Sequence, residues 1–422
     1  MRSSEKIKEY VKQLAGQAKD SSRKLALMSA DQKNGLLKKI AVSIRKNKGI
    51  ILEANTKDVK AAEKDSLSKA LIDRLLLDER RIEQMAAGLE EVAALDDPVG
   101  RMLDKRTRPN GMQIFKISVP IGVIAIIYES RPNVTSDSAG LCIKAGNAVI
   151  LRGGKEAFYS NKSIADCMRN AIAGCGGPEN IIQFVETKER SAVAEILKLD
   201  SLIDLVIPRG GESLIKAVTE MSTIPVIKHY KGVCHIFVDK DADLDKALKI
   251  IKNAKCQRPG VCNAAETLLV DKAVSEKFLP QAADMLKGEK VELRGCPETM
   301  KILRGIKAAT EDDWYEEYLD LILSIKVVDG VEEAIKHINK YGSMHSDAIV
   351  TENQASALKF LNMVDSAAVY LNASTRFTDG GQFGMGAEIG ISTDKIHARG
   401  PMGLEELNTY KYVIKGDGQI RD

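Results

Sequence analysis

The sequence predicts an α/β fold built on doubly wound parallel sheets. Three observations carry that expectation: an opening stretch that is helical throughout, apolar β-branched runs alternating with helices through the middle, and a second such alternation toward the C-terminus. Residues 1–95 read as helices. Leu36, Leu37, Ile40, Ala41 and Ile44 recur at helical spacing, and Ile82–Leu95 follows the charged turn 78–81. VPIGVIAIIY (119–128) is apolar and β-branched, as expected of a strand buried on both faces. After it come a helix (134–145), a strand (147–152), a helix (155–174), a strand (181–186), a helix (189–199) and a strand (202–207). Such sheets bind ligands beyond the carboxyl ends of their strands.

A second alternating unit begins near HIFVD (235–239), with a change of domain near 236. Helix 241–255 has Asp241 or Asp243 near its N-cap and Leu244, Ala247, Leu248 and Ile251 at helical spacing. Strands are expected at 266–270, 323–328, 346–351 and 366–372, with a helix at 331–340. Between the helical opening and the first alternating unit, Asn110-Gly111 predicts a type I′ hairpin turn. That hairpin is either a surface feature or an oligomer contact. The Gly-rich stretch DGGQFGMGAEIG (379–390) reads as a loop, because apolar residues punctuate it.

A chain of 422 residues, 44% hydrophobic, is long for one core and predicts two domains of ordinary size. Net charge is +3, from 62 basic and 59 acidic residues, which leaves no electrostatic footprint for nucleic acid. The cysteines number seven, with no CxxC pair, so neither a disulfide framework nor a metal site is expected and a reducing compartment fits. The first twenty residues lack the apolar run of a signal peptide, and 119–128 is too short to span a bilayer. The expectation is a soluble, cytoplasmic protein.

Three glycine signals lie beside strands: Pro120-Ile121-Gly122, Arg152-Gly153-Gly154-Lys155 and Arg209-Gly210-Gly211. Glycine at a strand-to-helix turn lets backbone N–H groups approach a phosphate, and the helix N-terminus favours the anion. None matches GxGxxG, and glycine also simply turns the chain. Their recurrence at one sheet edge is the expectation. In AKCQRPGVCNAAETLLV (254–270), Cys262 follows Pro-Gly at a helix-to-strand junction. A loop cysteine beside backbone donors can serve as a thiolate nucleophile. It can equally be a small buried hydrophobe, and spacing alone favours that.

Four long blocks carry a resemblance: 119–157, 241–270, 328–349 (with Ala334, His337, Ile338, Tyr341, Gly342, Ser343, His345, Ser346 and Asp347) and 383–421. In these blocks the chain resembles the aldehyde dehydrogenase superfamily, and within it the glutamate-5-semialdehyde dehydrogenase family. The resemblance implies an aldehyde dehydrogenase-like fold in three parts. An NADP-binding, Rossmann-like domain spans 1–100 and 119–235. An α/β catalytic domain spans 236–400. A hairpin (101–118) and a C-terminal strand (405–422) make a small oligomerisation element. It implies NADPH-dependent reduction of the 5-phosphate of glutamate to the semialdehyde through a cysteine thioester, feeding proline synthesis. It implies a homo-oligomer, dimer or tetramer, and transient contact with the kinase that makes the acyl phosphate.

The same resemblance puts the nucleophile at Cys262 rather than Cys256. Oxyanion donors are the Cys262 backbone N–H and Asn133. The carboxylate on the nicotinamide ribose is Glu317, with Glu316 the competing choice. The turn Arg209–Gly211 lies near the pyrophosphate, so Gly210 and Gly211 are cofactor residues. Arg152 and Lys155 place two cations where an NADP 2′-phosphate would be read. Apart from the resemblance, the loop 373–381 supplies Arg376, with Ser374 and Thr375, to meet the substrate α-carboxylate, a plain surface arginine being the alternative.

One departure is informative. Hydrolytic aldehyde dehydrogenases carry a general-base glutamate where His229 stands here, in IKHYKGVCHIFVD. Without a carboxylate to activate water, an acyl-enzyme is better suited to exchange with phosphate. His229 as a plain packing residue is the alternative. Two rival functions remain at this stage: a hydrolytic NAD(P)-dependent semialdehyde dehydrogenase, and an inactive structural relative.

Overall fold

A computed structural model describes residues 2–421; Met1 and Asp422, at the outer limits of the expected regions, lie outside the described residues. The chain divides into two compact units. The first holds residues 2–228, 384–390 and 402–421; the second holds 229–383 and 391–401.

In the first unit, helices Arg2–Leu25, Ala30–Lys46, Lys48–Lys64 and Glu79–Ala94 form the opening. Ser29 starts the second of them with a capping box closed by Gln32. Its buried stripe Leu36, Leu37, Ile40, Ala41 and Ile44 is the one read from spacing. It packs on the helix Glu79–Ala94, which buries Ile82, Met85, Ala86 and Leu89. At this layer Lys33, 1% exposed, pairs with Asp97 at 2.7 Å and donates to the Lys144 carbonyl at 3.1 Å. A buried ammonium persists only with such partners.

The sheet of this unit has four parallel strands in the order Ile182–Phe184, Ala148–Arg152, Val123–Tyr128, Leu205–Arg209. All six residues of Val123–Tyr128 are buried, as an apolar run flanked by helices requires. The chain steps one way from Val123–Tyr128 through two strands, then returns to the other side for Leu205–Arg209. The carboxyl ends of Val123–Tyr128 and Leu205–Arg209 thus meet at a topological switch point.

Several expected boundaries shift, each for a local reason. The run 119–128 is two strands, Gln113–Pro120 and Val123–Tyr128. Gly122, at φ +132°, turns the chain between them. Gly122 therefore lies at the amino end of its strand, and only the other two glycine turns share the carboxyl edge. The expected strand 202–207 is Leu205–Arg209, because Leu202 and Ile203 turn back onto Leu199 through backbone bonds. Strand 181–186 shortens to Ile182–Phe184, and helix 189–199 to Ser191–Ile196. Strand 366–372 shortens to Ala368–Leu371, and helix 155–174 begins as a 3-10 turn, Lys155–Ala157.

The hairpin Met102–Thr107/Gln113–Pro120 is present, but its turn is not type I′. Gly111 N–H donates to the Arg108 carbonyl at 2.9 Å, and Gly111 alone has positive φ (+84°). Pro109 at the second turn position, with φ held near −65°, selects this arrangement. The hairpin joins the C-terminal strand Asn408–Lys415 in a three-stranded antiparallel sheet. Asn408–Lys415 is an edge of that sheet and leaves Tyr410, Tyr412 and Ile414 half exposed.

The second unit is a seven-stranded parallel sheet: Lys307–Ala308, Glu292–Gly295, Ile322–Val328, Ala265–Asp271, Cys234–Val238, Ser346–Val350, Ala368–Leu371. Helices Leu244–Cys256, Lys272–Gly288, Gly330–Tyr341 and Gln354–Met363 cover it. Phe278, Leu279, Ala282 and Leu286 pack with Leu268, Val270, Leu323 and Ile325 in one core. Among the described residues, no helix is long and apolar enough to cross a membrane.

Gly122 gives a direct test of the first sheet. A Cβ there would fall 2.3 Å from Asp204 Oδ2. Asp204 accepts from the Val123 N–H and from Lys19, both at 2.8 Å. Gly122→Ala is expected to add about 1–3 kcal/mol of backbone strain and to break those contacts. Urea unfolding should show a lowered midpoint; an unchanged midpoint would mean that the turn relaxes freely.

Candidate functional site

In the first unit, the candidate cofactor residues gather at the carboxyl edge of the four-stranded sheet. Arg152 ends the strand Ala148–Arg152 and is half-buried. Its Nη1 donates to the Gly153 carbonyl at 2.7 Å and its Nη2 to the Lys188 carbonyl at 3.3 Å. Its Nε is buried with no partner, and so is the Asn161 side-chain nitrogen. A Cβ on Gly153 would lie 2.1 Å from that nitrogen. Two unsatisfied donors thus flank the glycine turn, which suits an anionic group placed there. Burial draws the Arg152 guanidinium below its usual pKa, and the neighbouring Glu156 opposes this. Lys155 is exposed.

The turn at Gly210 and Gly211 leads into the helix Glu212–Met221. Its Gly211 N–H donates to Glu129 Oε2 at 3.1 Å, and the Glu129 carboxyl lies 2.5 Å from where a Gly210 Cβ would stand. Glu129 was not read from the sequence. It follows the strand Val123–Tyr128 directly, and the switch point is the signal that would have found it. Asn133 opens the helix Asn133–Lys144 and donates to Asp137 at 2.8 Å.

In the second unit, the candidate residues cluster before the strands, at the amino edge. Cys262 is half-buried in the turn between Leu244–Cys256 and Ala265–Asp271. Cys256 closes the helix, and burial raises its thiol pKa. No disulfide joins the cysteines.

The Cys262 turn is held from three sides. Gly232 lies against it so closely that a Cβ would fall 1.9 Å from the Cys262 carbonyl oxygen and 2.4 Å from its Cα. The buried Cys234 thiol donates to the same carbonyl at 3.2 Å, and burial lifts its pKa well above the usual thiol range. Asn263 is fastened to the 374–378 turn. Its amide donates to the Thr378 carbonyl at 2.8 Å, its carbonyl accepts from the Thr375 hydroxyl at 2.7 Å, and its Oδ1 accepts from Arg376 Nη1. Arg376 Nε also donates to Gln257 at 2.8 Å. Ser374 caps the 3-10 turn Thr375–Phe377. Arg376, Ser374, Thr375 and Cys262 are therefore brought together.

The Thr378 hydroxyl bonds to Ser346 at 2.6 Å and to Tyr370 at 2.7 Å, and Ser346 bonds to His345 Nδ1 at 2.8 Å. Burial drives the His345 pKa down to about 3, aided by the nearby His229, so His345 is neutral in ordinary buffers. His229 pairs its Nδ1 with the Ile391 carbonyl at 2.8 Å and meets the His345 ring edge-on at 5.8 Å. Glu317 lies half-buried in the loop before Ile322–Val328, while Glu316 is exposed and faces Lys231 at 3.7 Å. Sequence reasoning missed Gly232, Cys234, Asn263 and Thr378. Only the glycine of KGVC, just before a strand, carried a readable signal of close approach.

A family model for the aldehyde dehydrogenase family matches residues 2–299. Gamma-glutamyl phosphate reductase of Caldanaerobacter subterraneus subsp. tengcongensis is 58% identical over 407 residues, covering 96% of this chain and 98% of the relative. The protein of the same name from Thermodesulfovibrio yellowstonii is 55% identical over 415 residues, covering 98% of this chain and 99% of the relative. The crystal structure of gamma-glutamyl phosphate reductase from Thermotoga maritima superposes with a TM-score of 0.96 at 49% identity, covering 97% of this chain and 99% of that one. The chain belongs to the aldehyde dehydrogenase family, whose members use a nicotinamide cofactor. It is an oxidoreductase and groups with the gamma-glutamyl phosphate reductases.

Gly232→Ala should test the packing behind Cys262. The methyl group has no space unless the turn moves, and a displacement near 1 Å can cost about 100-fold in rate. Turnover is expected to fall by that order while circular dichroism stays native. Wild-type turnover would show that the Cys262 turn has slack.

Proposed function

We propose that the chain reduces L-glutamyl 5-phosphate to L-glutamate 5-semialdehyde with NADPH, the second step of proline synthesis from glutamate. The observation that carries this reading is identity above half, over nearly the whole chain, with gamma-glutamyl phosphate reductases. The Cys262 thiolate attacks the acyl carbon; the carbon–oxygen bond to phosphate breaks and phosphate departs, leaving a thioester. A nicotinamide dinucleotide, when bound, supplies the hydride that reduces this thioester. The carbon–sulfur bond of the resulting hemithioacetal then breaks, releasing the aldehyde and the thiolate. The Cys262 backbone N–H and Asn133 stabilise the oxyanion.

In the same reading, Arg376 meets the α-carboxylate, with Ser374 and Thr375 setting its turn. A bound dinucleotide would be held at its nicotinamide ribose by Glu317 and at its pyrophosphate by the turn of Gly210 and Gly211. Residues 2–100 and 119–235 form the cofactor domain, and 236–400 the catalytic domain. The three-stranded sheet, with exposed Tyr410, Tyr412 and Ile414 on its edge strand, serves homo-oligomerisation.

The deciding assay runs the reaction backward and follows NADP+ reduction by glutamate semialdehyde. Turnover should rise with phosphate or arsenate and be slow with neither, because His229 stands where a base for water is needed. Cys262→Ser should abolish it, and Cys256→Ser should be far milder. Rapid phosphate-independent formation of glutamate would instead identify a hydrolytic dehydrogenase.

Cofactor choice gives a second test. Arg152, with its unpartnered Nε, and Lys155 should read the 2′-phosphate of NADPH. Arg152→Ala should cost NADPH roughly 1.5–3 kcal/mol in kcat/KM, the value of one charged hydrogen bond, and NADH much less. Equal losses for both cofactors would remove Arg152 from the specificity.

A further inference from the structure

Lys255 and Glu266 stand at the two ends of the Cys262 turn, one near the end of Leu244–Cys256 and the other near the start of Ala265–Asp271. Their side chains meet at 2.5 Å and both are 0% exposed. The pair closes the neck of the turn. Glu266 Oε1 also accepts from the Leu319 N–H at 3.4 Å, so it reaches the loop that carries Glu317. Leu319 has φ +53°, a left-handed conformation costly for a branched side chain. Such a backbone persists only where its surroundings hold it. Gly260, inside the Cys262 turn, is on the same contact: a Cβ there would lie 3.6 Å from the Leu319 carbonyl oxygen. Beside Leu319, the Tyr318 hydroxyl is fixed to Asp313 and to Ser324, both at 2.7 Å.

A buried ion pair is a poor device for stability, because apolar residues of similar volume usually do as well or better. Position is what this one supplies. We propose that the buried Lys255–Glu266 pair is a positioning element that sets Cys262 and Glu317 in register, by tying the nucleophile turn to the 316–320 loop. The inference rests on the roles proposed above for those two residues. It makes the pair act on hydride transfer, where the acyl carbon and the nicotinamide must be aligned, and not on the reactivity of the thiolate.

The experiment compares Lys255→Met/Glu266→Leu, Glu266→Gln and Glu317→Gln with the wild type in full-length enzyme. The readouts are thermal unfolding, the rate of Cys262 alkylation by iodoacetamide, kcat and KM for NADPH, and the isotope effect with NADPH deuterated at the transferred position. The double variant removes both charges, so it leaves no lone buried ion. It should unfold near the wild-type temperature and be alkylated within about threefold of the wild-type rate. Its kcat should fall about tenfold or more, its KM for NADPH should rise, and its isotope effect should increase as hydride transfer becomes limiting. Glu266→Gln keeps an acceptor for Leu319 but leaves the Lys255 charge buried alone, so it should unfold at a lower temperature. If the double variant fails to fold, Lys255→Met/Glu266→Gln, which keeps the acceptor and buries no charge, decides the matter and should show the same kinetic pattern more weakly.

Wild-type kinetics and isotope effect in a folded variant would overturn the proposal. So would equal losses of turnover and alkylation, the mark of a merely structural pair. A Glu317→Gln enzyme with unchanged KM and isotope effect would instead overturn the reading of Glu317, and this inference with it.

Discussion

The second unit is organised around a contact with no spare room. The backbone of Gly232 touches the backbone of Cys262, and any side chain at 232 would occupy the space of the Cys262 carbonyl. That contact fixes how the strand Cys234–Val238 enters the sheet beside Ala265–Asp271, with Cys234 paired to Ala265. Once those two entries are set, the Cys234 thiol falls beneath the Cys262 carbonyl, and Asn263 turns toward the 374–378 loop. Atoms packed at crystal density move together or not at all. A half-exposed thiol on a turn would otherwise be mobile; here three neighbouring segments determine its place.

The two units present their candidate groups at opposite sheet edges. In the first, Arg152 ends one strand and Gly210 follows another, at an edge where helix N-termini suit phosphates. In the second, Cys262, Glu317 and His345 precede strands. The general rule for open parallel sheets describes the first unit and fails for the second. The difference follows from chemistry. In the function proposed above, an anionic dinucleotide would be favoured by the positive ends of helix dipoles, whereas a thiol attacking an acyl group would depend on particular side chains and on a rigid turn.

Sequence patterns made much of this visible. Val123–Tyr128 is apolar throughout, and a strand buried on both faces leaves that mark; Ala265–Asp271 is buried throughout but carries it only over Leu268, Leu269 and Val270, since Glu266, Thr267 and Asp271 are polar. Helix Ala30–Lys46 announced its core stripe by spacing. Its start at Ser29 is set by a cap that only the structure resolves. Boundaries failed where a single residue overrides propensity: Gly122 splits one apolar run into two sheets, and Pro109 displaces the expected Asn-Gly turn. At the site, Cys262 belongs to a block that carries the family resemblance, while Arg376 was read from the polar loop 373–381. Cys234 and Thr378 act on partners 28 and 32 residues away, through one hydrogen bond each, and no local pattern encodes such a pairing.

A few of this molecule's many charges are used inside it. Lys33, Lys144 and Lys255 are each 1% exposed or less, in a chain whose net charge is only +3. Lys33 and Lys144 tie the opening helices to the helix Asn133–Lys144, through the Lys144 carbonyl and through Asn34. Lys255 faces Glu266 across the neck of the Cys262 turn. Burial lowers the Lys255 pKa and raises that of Glu266, so the low dielectric presses each toward its neutral form while their contact opposes it. A pair under that tension gains most from holding one geometry, since separation leaves each partner unsolvated. Its worth therefore lies in the shape it imposes on the turn between its ends, and that turn carries the cysteine.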